Sequence, residues 1–203
     1  MKKKDLYTDI IFFAALAVFS ITINIHYGNI GVFPTDTFAF FDTSYSILLD
    51  KHPFKDIWVT TGPFVDYVQA LFFKLFGAYW FSYVLHASVM NMALAIFSFY
   101  FFCNLNLPKI YALIYSLGIS LLAYPSAGTP FVDHHAVIFS VMALYSLSIA
   151  ILNKENLFWL LTSTTIILSF FSKQIPSAYI LIFFSIFILI YFLVNKSFTK
   201  NNF

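Results

Sequence analysis

The stretch YWFSYVLHASVMNMALAIFSFYFF, residues Tyr79–Phe102, contains no Lys, Arg, Asp or Glu. A helix of this length extends about 36 Å, which exceeds the roughly 30 Å thickness of the hydrocarbon core of a bilayer. The stretch therefore predicts a membrane-spanning helix.

The composition of the whole chain favours the same environment. Of 203 residues, 61% are hydrophobic and 10% are charged, with a mean hydropathy of +0.84. Soluble domains carry roughly a quarter charged residues, so this shortage of charge excludes a soluble fold. The net charge of +2 is too small to predict nucleic acid as a partner. Cys103 is the only cysteine, which excludes an intrachain disulfide and a zinc site built from thiolates.

Five further apolar segments predict spans, and three of them are short enough to imply tilted or irregular helices. We predict an all-α membrane protein with about six transmembrane helices in a single transmembrane domain, residues 1–203. No small-residue cleavage site follows the first span, which favours an uncleaved helix over a signal peptide. The five segments are about Ile10–Ile25, Ile110–Tyr124, Ala136–Leu152, Leu157–Phe171 and Ser177–Val194.

Lysine placement predicts the orientation of the spans. With the N-terminus in the cytoplasm, seven of the eleven lysines fall on the cytoplasmic side, in line with the positive-inside rule. We therefore predict a multi-pass protein of the cell (inner) membrane. Two segments then lie outside the cytoplasm, a long first loop over residues 26–78 and a second loop over residues 125–135. These loops and the adjoining interface hold six aspartates and all five histidines: His26, His52, His86, His134 and His135.

The first outer loop is predicted to carry two short helices that rest on the membrane surface. The first covers Thr43–Asp50, and the second has Pro63 in its first turn and ends at Gly77. At about 21 Å the second helix is too short to span, so we expect it to lie in the interface. The alternative is an apolar connector without that role. In this helix Asp66 and Gln69 fall opposite an apolar arc formed by Phe64, Val68, Leu71, Phe72, Leu75 and Phe76.

Short motifs in this loop follow one another in a familiar order. They are Asp42-Thr-Ser-Tyr45, Leu48-Leu49, Pro53-Phe54-Lys55-Asp56, Gly62-Pro63 and Leu71-Phe72-Phe73-Lys74-Leu75-Phe76-Gly77. Together they resemble the first outer loop of the GT-C fold polyprenyl-phosphate-dependent glycosyltransferases, which include the protein O-mannosyltransferases and the lipid A aminoarabinose transferases. Thr43 stands where many relatives have Glu, and Thr61-Gly62-Pro63 where others have Glu-Lys-Pro. The resemblance implies a GT-C-like transmembrane module, as an N-terminal portion or a reduced member.

The resemblance implies an enzyme that moves a sugar from a polyprenyl-phosphate carrier to an acceptor at the outer face. An acceptor hydroxyl needs a carboxylate to orient it and to take its proton. The resemblance assigns this catalytic role to Asp42. An Asp near a helix N-terminus is also typical of a cap for free N–H groups. The sugar-carrying lipid and the membrane lipids are the expected partners, and the acceptor stays open.

Asp133, His134 and His135 follow one another where the fourth span begins. Relatives often carry an Asp at this place, so the resemblance implies that Asp133 and His134 contact the donor or the acceptor. Asp133 and His135 could also bind a divalent metal, provided that a further ligand such as Asp42 or His86 lies near. The plainer interpretation has Asp133 capping the helix and the histidines in the headgroup region. No other cofactor is predicted.

Lys173 follows the fifth span in the run Phe171-Ser-Lys173-Gln174, and relatives often show a similar run there. The resemblance implies that its ammonium group holds the phosphate of the carrier. A lysine at this place equally fits a side chain that reaches to the lipid headgroups.

Two other functions stay open beside a transferase. A transporter or flippase of a lipid-linked sugar or small solute requires ionisable groups at mid-membrane, and the spans hold few polar groups apart from His86 and Asn91. No inverted repeat of two similar halves is visible. A non-catalytic membrane subunit is the other possibility. Motifs of soluble enzymes, such as a phosphate-binding glycine loop, are missing from the sequence.

Overall fold

The computed structural model describes residues 3–31, 34–59 and 61–195, and the regular elements among them are all helical. The predicted all-α fold is therefore confirmed. A short 3-10 turn, Tyr124–Ser126, lies between the fifth and sixth helices. The helices are α1 (Lys3–Gly28), α2 (Pro34–Leu48), α3 (Phe64–Phe76), α4 (Trp80–Asn104), α5 (Lys109–Leu122), α6 (Val132–Asn153), α7 (Asn156–Ser172) and α8 (Gln174–Asn195).

Four segments within these helices are long and apolar enough to cross a membrane: Tyr7–Gly28, Trp80–Asn104, Val132–Asn153 and Gln174–Leu193. They indicate a multi-pass membrane protein. The two remaining predicted spans are shorter, because α5 has 14 residues and α7 has 17. These lengths correspond to about 21 and about 26 Å of helix, less than the thickness of the hydrocarbon core. Three lysines that contributed to the predicted orientation, Lys2, Lys196 and Lys200, lie outside the described residues.

The surface of the bundle is apolar, whereas its interior is rich in polar side chains. Large hydrophobic side chains on α1 and α8, such as Val18 and Phe183, are more than half exposed. Serine hydroxyls are buried along the helices, for example at Ser98 in α4, Ser140 in α6 and Ser169 in α7. Hydrocarbon solvates apolar atoms and cannot hydrogen-bond to polar ones, so a bundle in a bilayer exposes the first and buries the second.

Helix α4 lies at the centre of the bundle and packs against α1, α3, α5 and α6. Its buried positions include the small residues Ala87, Ser88, Ala95 and Ser98. Small side chains allow neighbouring helix backbones to approach closely, and this close packing replaces the hydrophobic effect as the source of helix association in lipid.

Amide and hydroxyl side chains join α4 to α1 and α5. The Asn91 amide donates to the backbone oxygen of Ser120 at 3.0 Å, and the Ser120 hydroxyl donates to the Ser20 hydroxyl at 2.8 Å. Nearer the start of α4, the Asn24 amide donates to the hydroxyl of Ser88 at 3.0 Å. Interhelical hydrogen bonds of this kind contribute about 0.6 kcal/mol each in a membrane protein. They hold α4 in one register against its neighbours.

Helix α2 differs from its prediction. It covers Pro34–Leu48, so it begins nine residues before the predicted start at Thr43 and ends two residues before Asp50. The physical reason lies in the residues before Asp42. Proline fits the first turn of a helix, and Asp36 places an acidic side chain near the positive end of the helix dipole.

Helix α3 agrees with its predicted extent and presents its polar side chains to the protein. It begins after Pro63 and ends at Gly77, whose φ of 86° is typical of a glycine that terminates a helix. Asp66 and Gln69 are buried, whereas the apolar side chains of Leu71, Leu75 and Phe76 are at least half exposed. The two faces are opposed as predicted, and the polar face is the one that packs inward.

Gly62 provides a test of how α3 is seated, because it lies against the end of α7. A β-carbon at Gly62 would lie 1.8 Å from the backbone oxygen of Phe171, so a side chain here forces the two segments apart. Gly118 in α5 has no such neighbour within 4 Å and is the matched control. We expect Gly62→Ala to lower the free energy of unfolding by about 1–3 kcal/mol, as overpacking does.

Gly118→Ala should leave the stability unchanged or raise it, since alanine favours a helix. Thermal unfolding of both variants in detergent measures the difference. Equal unfolding midpoints for the two variants would contradict the close approach of Gly62 to α7.

Candidate functional site

The helix ends and loops at one end of the bundle pack together. The Tyr83 hydroxyl donates to the backbone oxygen of Thr37 at 2.8 Å, and the hydroxyls of Thr37 and Thr129 lie 3.3 Å apart. The rings of Phe40 and Phe131 meet edge to face with their centroids 5.7 Å apart. These contacts join α2 to the start of α4 and to the segment before α6. The two predicted outer loops therefore lie side by side.

Asp42 is an exposed carboxylate at this end of the bundle. It lies within α2 and makes no hydrogen bond or ion pair with any other residue that the structure describes. The interpretation of Asp42 as a helix cap is wrong, because α2 begins eight residues before it. Its carboxylate is therefore open to a molecule that approaches from outside.

Asp66 is the carboxylate that the fold buries. The hydroxyl of Thr43, the residue after Asp42, makes a hydrogen bond to Oδ1 of Asp66. Oδ2 of Asp66 has no hydrogen-bond partner among the described residues. Burial raises the pKa of Asp66 from 3.8 to about 6, although the hydrogen bond from Thr43 acts in the opposite direction. Asp66 thus holds a proton at a higher pH than an exposed aspartate does.

Four side chains, which we name the buried chain, connect α3 with the 3-10 turn by hydrogen bonds. Oε1 of Gln69 lies 2.9 Å from Nδ1 of His86, and Nε2 of His86 lies 3.1 Å from Nε2 of His135. Nδ1 of His135 contacts the hydroxyl of Tyr124. All four side chains are at most 1% exposed. The buried chain therefore runs from α3 through α4 and α6 to the second loop without contact with solvent.

Aromatic rings cover the buried chain. The ring of Phe72 stacks on that of His86 with the centroids 5.0 Å apart, and the ring of His134 stacks on that of Tyr124 at 5.2 Å. The ring of Phe139 lies near that of His135, tilted by 49° at a centroid distance of 6.2 Å. This apolar enclosure strengthens the hydrogen bonds within it, because no water competes for their donors and acceptors.

Asp133 and Lys173, two of the predicted site residues, form an ion pair. Nζ of Lys173 lies 2.6 Å from Oδ1 of Asp133, and both side chains are partly exposed. Asp133 lies in the first turn of α6 and does not cap it, since α6 has no side-chain cap. At this exposure an ion pair contributes only about 0–1 kcal/mol to stability. The pair therefore leaves Lys173 able to exchange Asp133 for another anion.

The side chains predicted to bind a metal do not converge on one point. Asp133 contacts Lys173, and Nε2 of His134 lies 3.2 Å from the hydroxyl of Ser126. Both ring nitrogens of His135 belong to the buried chain. Within the described ranges no three His, Cys, Asp or Glu side chains gather as metal ligands. The donor set here does not fit a divalent metal, which requires three or more converging ligands from the protein.

Asp66, Gln69 and Tyr124 were not among the predicted site residues. The available signal was the position of Asp66 and Gln69, one turn apart on an otherwise apolar helix. Polar side chains on a helix whose other face is suited to lipid must find partners inside the protein. Tyr124 gave no comparable signal, because nothing distinguishes it in sequence from the other twelve tyrosines.

No known protein family, no curated protein and no solved structure matches this chain. What the site can do is therefore inferred from its own residues and from the motifs of the first outer loop.

The burial of Asp66 predicts a pH-dependent stability. The folded-state pKa of Asp66, about 6, lies above the unfolded value of 3.8. Its stabilising contribution is therefore fully present below pH 3.8 and is lost as the pH rises through 6. We expect the wild type to lose stability relative to Asp66→Asn across this range. The unfolding midpoint of the wild type minus that of Asp66→Asn should therefore fall with rising pH and level off above pH 6.

Asp36→Asn, which changes an exposed carboxylate of α2, is the control. Thermal unfolding in detergent from pH 4 to pH 8 measures all three proteins. A pH-independent difference between the wild type and Asp66→Asn would show that the Asp66 carboxyl is not buried.

Proposed function

We propose that this protein is a membrane glycosyltransferase that moves a sugar from a polyprenyl-phosphate carrier to an acceptor at the extracytoplasmic face. The observation that carries the proposal is the exposed carboxylate of Asp42. It has no partner among the described residues, and it lies at the end of the bundle where Asp133 and Lys173 also lie. The motifs around Asp42 supply the resemblance to the GT-C family.

In the proposed reaction Asp42 acts as the general base. It accepts the proton of the acceptor hydroxyl while that oxygen forms a bond to the anomeric carbon of the sugar. The bond between the anomeric carbon and the phosphate oxygen breaks, and the carrier leaves as polyprenyl phosphate with the electron pair. One bond forms, one breaks, and the proton remains on Asp42.

Lys173 is the proposed binding group for the phosphate of the carrier. Its ammonium is a compact point charge that suits a phosphate oxygen, and it is now held by Asp133 at 2.6 Å. The donor phosphate, a diester, carries one negative charge as a carboxylate does and competes with Asp133 for this ammonium, and the released phosphate monoester carries a second charge and competes more strongly. Asp133 and His134, both half-buried, then border the sugar or the acceptor.

The proposal includes a membrane topology. The four long helices, together with α5 and α7 as tilted or irregular spans, form six spans of a GT-C-like module in the cell membrane. The N-terminus lies in the cytoplasm, in keeping with the lysine distribution. The turn at residues 153–155 then faces the cytoplasm, and the first outer loop faces the other side.

Single-cysteine labelling tests this topology. In a Cys103→Ser background, Asp50→Cys marks the first outer loop and Glu155→Cys marks the turn between α6 and α7, and both positions are exposed. On intact cells, a membrane-impermeant maleimide should label Asp50→Cys, and it should label Glu155→Cys only after permeabilisation. The reverse pattern would invert the topology and remove Asp42 from the outer face.

Asp42→Asn tests the transferase itself. We expect transfer of radiolabelled sugar from polyprenyl-phosphate donors, assayed in membranes containing the protein, to fall by about 100-fold or more, as the loss of a general base does. Asp50→Asn is the matched control, because Asp50 is exposed in the same loop and has a φ of 61° that asparagine also tolerates.

Full transfer by the Asp42→Asn protein at equal abundance would exclude Asp42 as the base and move attention to Asp133. No transfer by the wild type from any donor in the panel would overturn the glycosyltransferase proposal.

One observation favours transport as a second candidate function. His86 and His135 are ionisable side chains buried between two candidate spans, α4 and α6, and such groups often mark proton or substrate pathways. Uptake of a lipid-linked sugar or a solute into proteoliposomes, driven by a pH gradient and lost in His86→Gln, would support this candidate over the transferase.

A further inference from the structure

The hydrogen bonds of the buried chain can point toward Gln69. A neutral imidazole has one N–H donor and one acceptor nitrogen. In this first arrangement the Tyr124 hydroxyl donates to Nδ1 of His135. Nε2–H of His135 then donates to Nε2 of His86, and Nδ1–H of His86 donates to Oε1 of Gln69. Every member of the chain has a partner.

The same heavy atoms also fit the reverse direction. In this second arrangement the Gln69 amide is rotated and its N–H donates to Nδ1 of His86. Nε2–H of His86 donates to Nε2 of His135, and Nδ1–H of His135 donates to the oxygen of Tyr124. The Tyr124 hydroxyl then donates to the backbone oxygen of Phe131 at 3.3 Å.

The backbone of Phe131 makes both directions possible at the Tyr124 end. Its N–H and its oxygen each lie 3.3 Å from the Tyr124 hydroxyl. The N–H donates to the hydroxyl oxygen in the first arrangement, and the backbone oxygen accepts from the hydroxyl in the second. Neither direction leaves the Tyr124 hydroxyl without a partner, so neither incurs the cost of an unsatisfied buried group.

The direction of the hydrogen bonds in the buried chain decides which atom of the Gln69 amide faces away from His86. In the first arrangement its amide N–H groups are available, and in the second its oxygen is available. Asp66 lies one helical turn before Gln69, and side chains three residues apart are neighbours on a helix. Oδ2 of Asp66 and Nε2 of Gln69 are both buried and have no partner among the described residues. An amide N–H favours the Asp66 carboxylate, whereas an amide oxygen favours the protonated acid.

We propose that the buried chain is a hydrogen-bond relay that couples the protonation of Asp66 in the first outer loop to the direction of the hydrogen bonds at Tyr124, where the second outer loop begins. In a change from the first to the second arrangement, each imidazole keeps one proton but carries it on its other ring nitrogen, and the Tyr124 hydroxyl turns from His135 to the backbone oxygen of Phe131. The Gln69 amide rotates at the same time, and the proton that Asp66 gains as the pH falls is taken from solvent and not from the chain. The number of protons on the chain is unchanged. This relay does not depend on the proposed sugar transfer.

The surroundings of Asp66 restrict where its proton can go. Thr43 of α2 makes a hydrogen bond to Asp66, whereas Asp42, the titratable residue beside it, is exposed. From α4 the titratable neighbours are Tyr83, which interacts with the Asp66 charge, and His86. Beyond them lie the remaining titratable members of the buried chain, His135 on α6 and Tyr124 on the 3-10 turn. Lys173 is paired with Asp133.

Nitrogen-15 NMR of histidine-labelled protein in nanodiscs tests the relay, because the ring nitrogen shifts distinguish the two tautomers. Replacing the exposed His26 and His52 with Asn simplifies the spectrum. In the wild type, His86 and His135 should be opposite tautomers at every pH. As the pH falls through the Asp66 transition, the proton on His86 should move from Nδ1 to Nε2, and that on His135 from Nε2 to Nδ1. In Asp66→Asn this change with pH should be lost.

Tyr124→Phe tests the coupling from the other end. Without the hydroxyl, Nδ1 of His135 retains only the backbone oxygen of Phe131, at 3.2 Å, and must donate to it. We expect this variant to hold His86 as the Nε2–H tautomer at all pH values. The titration midpoint of the Asp66 carboxyl, followed by carbon-13 NMR, should rise by about one pH unit, a tenfold gain in proton affinity.

Tyr83→Phe is the matched control, because the Tyr83 hydroxyl is buried but donates to Thr37 outside the buried chain. It should leave both tautomers as in the wild type. Like tautomers on the two rings, or tautomers that ignore the protonation of Asp66 in the wild type, would overturn the relay. A change confined to His135 in a folded Tyr124→Phe protein would also overturn it.

Discussion

Hydrocarbon offers no hydrogen-bond partner, and the rest of this structure follows from that constraint. A polar group that faces lipid costs several kcal/mol, so the bundle exposes apolar side chains such as Val18 and Leu75 and turns its serines, asparagines and histidines inward. Helix α3 shows the consequence most clearly. Its apolar face is exposed, and its polar face, with Asp66 and Gln69, packs against the other helices.

Once polar groups are turned inward, each has to be satisfied by another helix, and the partners then determine which helices are neighbours. Asn91 joins α4 to α5, Asn24 joins α1 to α4, and His86 joins α4 to both α3 and α6. Removing one partner from such a pair leaves the other buried and unsatisfied, which costs about 1–3 kcal/mol. The same contacts that specify the packing therefore build the polar interior at the end of the bundle that holds the candidate site.

Sequence patterns predicted the parts of this structure that depend on local chemistry. Hydropathy identified the helices from Tyr79–Phe102 onward, and Pro63 and Gly77 marked the limits of α3. The start of α2 was predicted nine residues late, because the apolar residues around Phe38 and Phe40 have no helix periodicity that distinguishes them from a loop. Asp133 and Lys173 were each predicted as site residues, but their ion pair joins residues forty apart in the chain. The buried chain combines residues from four elements, and no local pattern specifies such contacts.

Thr43 connects the two kinds of chemistry at this end of the bundle. It follows Asp42, the exposed carboxylate of the proposed transfer, and it makes a hydrogen bond to Asp66, the buried one. The carboxylate of Asp66 lies in contact with the Thr43 side chain. A second acid is therefore close to Asp42 in space although it is absent from the next position in sequence. Because one base is sufficient to take the proton of an acceptor hydroxyl, the buried acid is not required for that step. Its burial and its place one helical turn from Gln69 suit it instead to set the direction of the hydrogen bonds in the proposed relay.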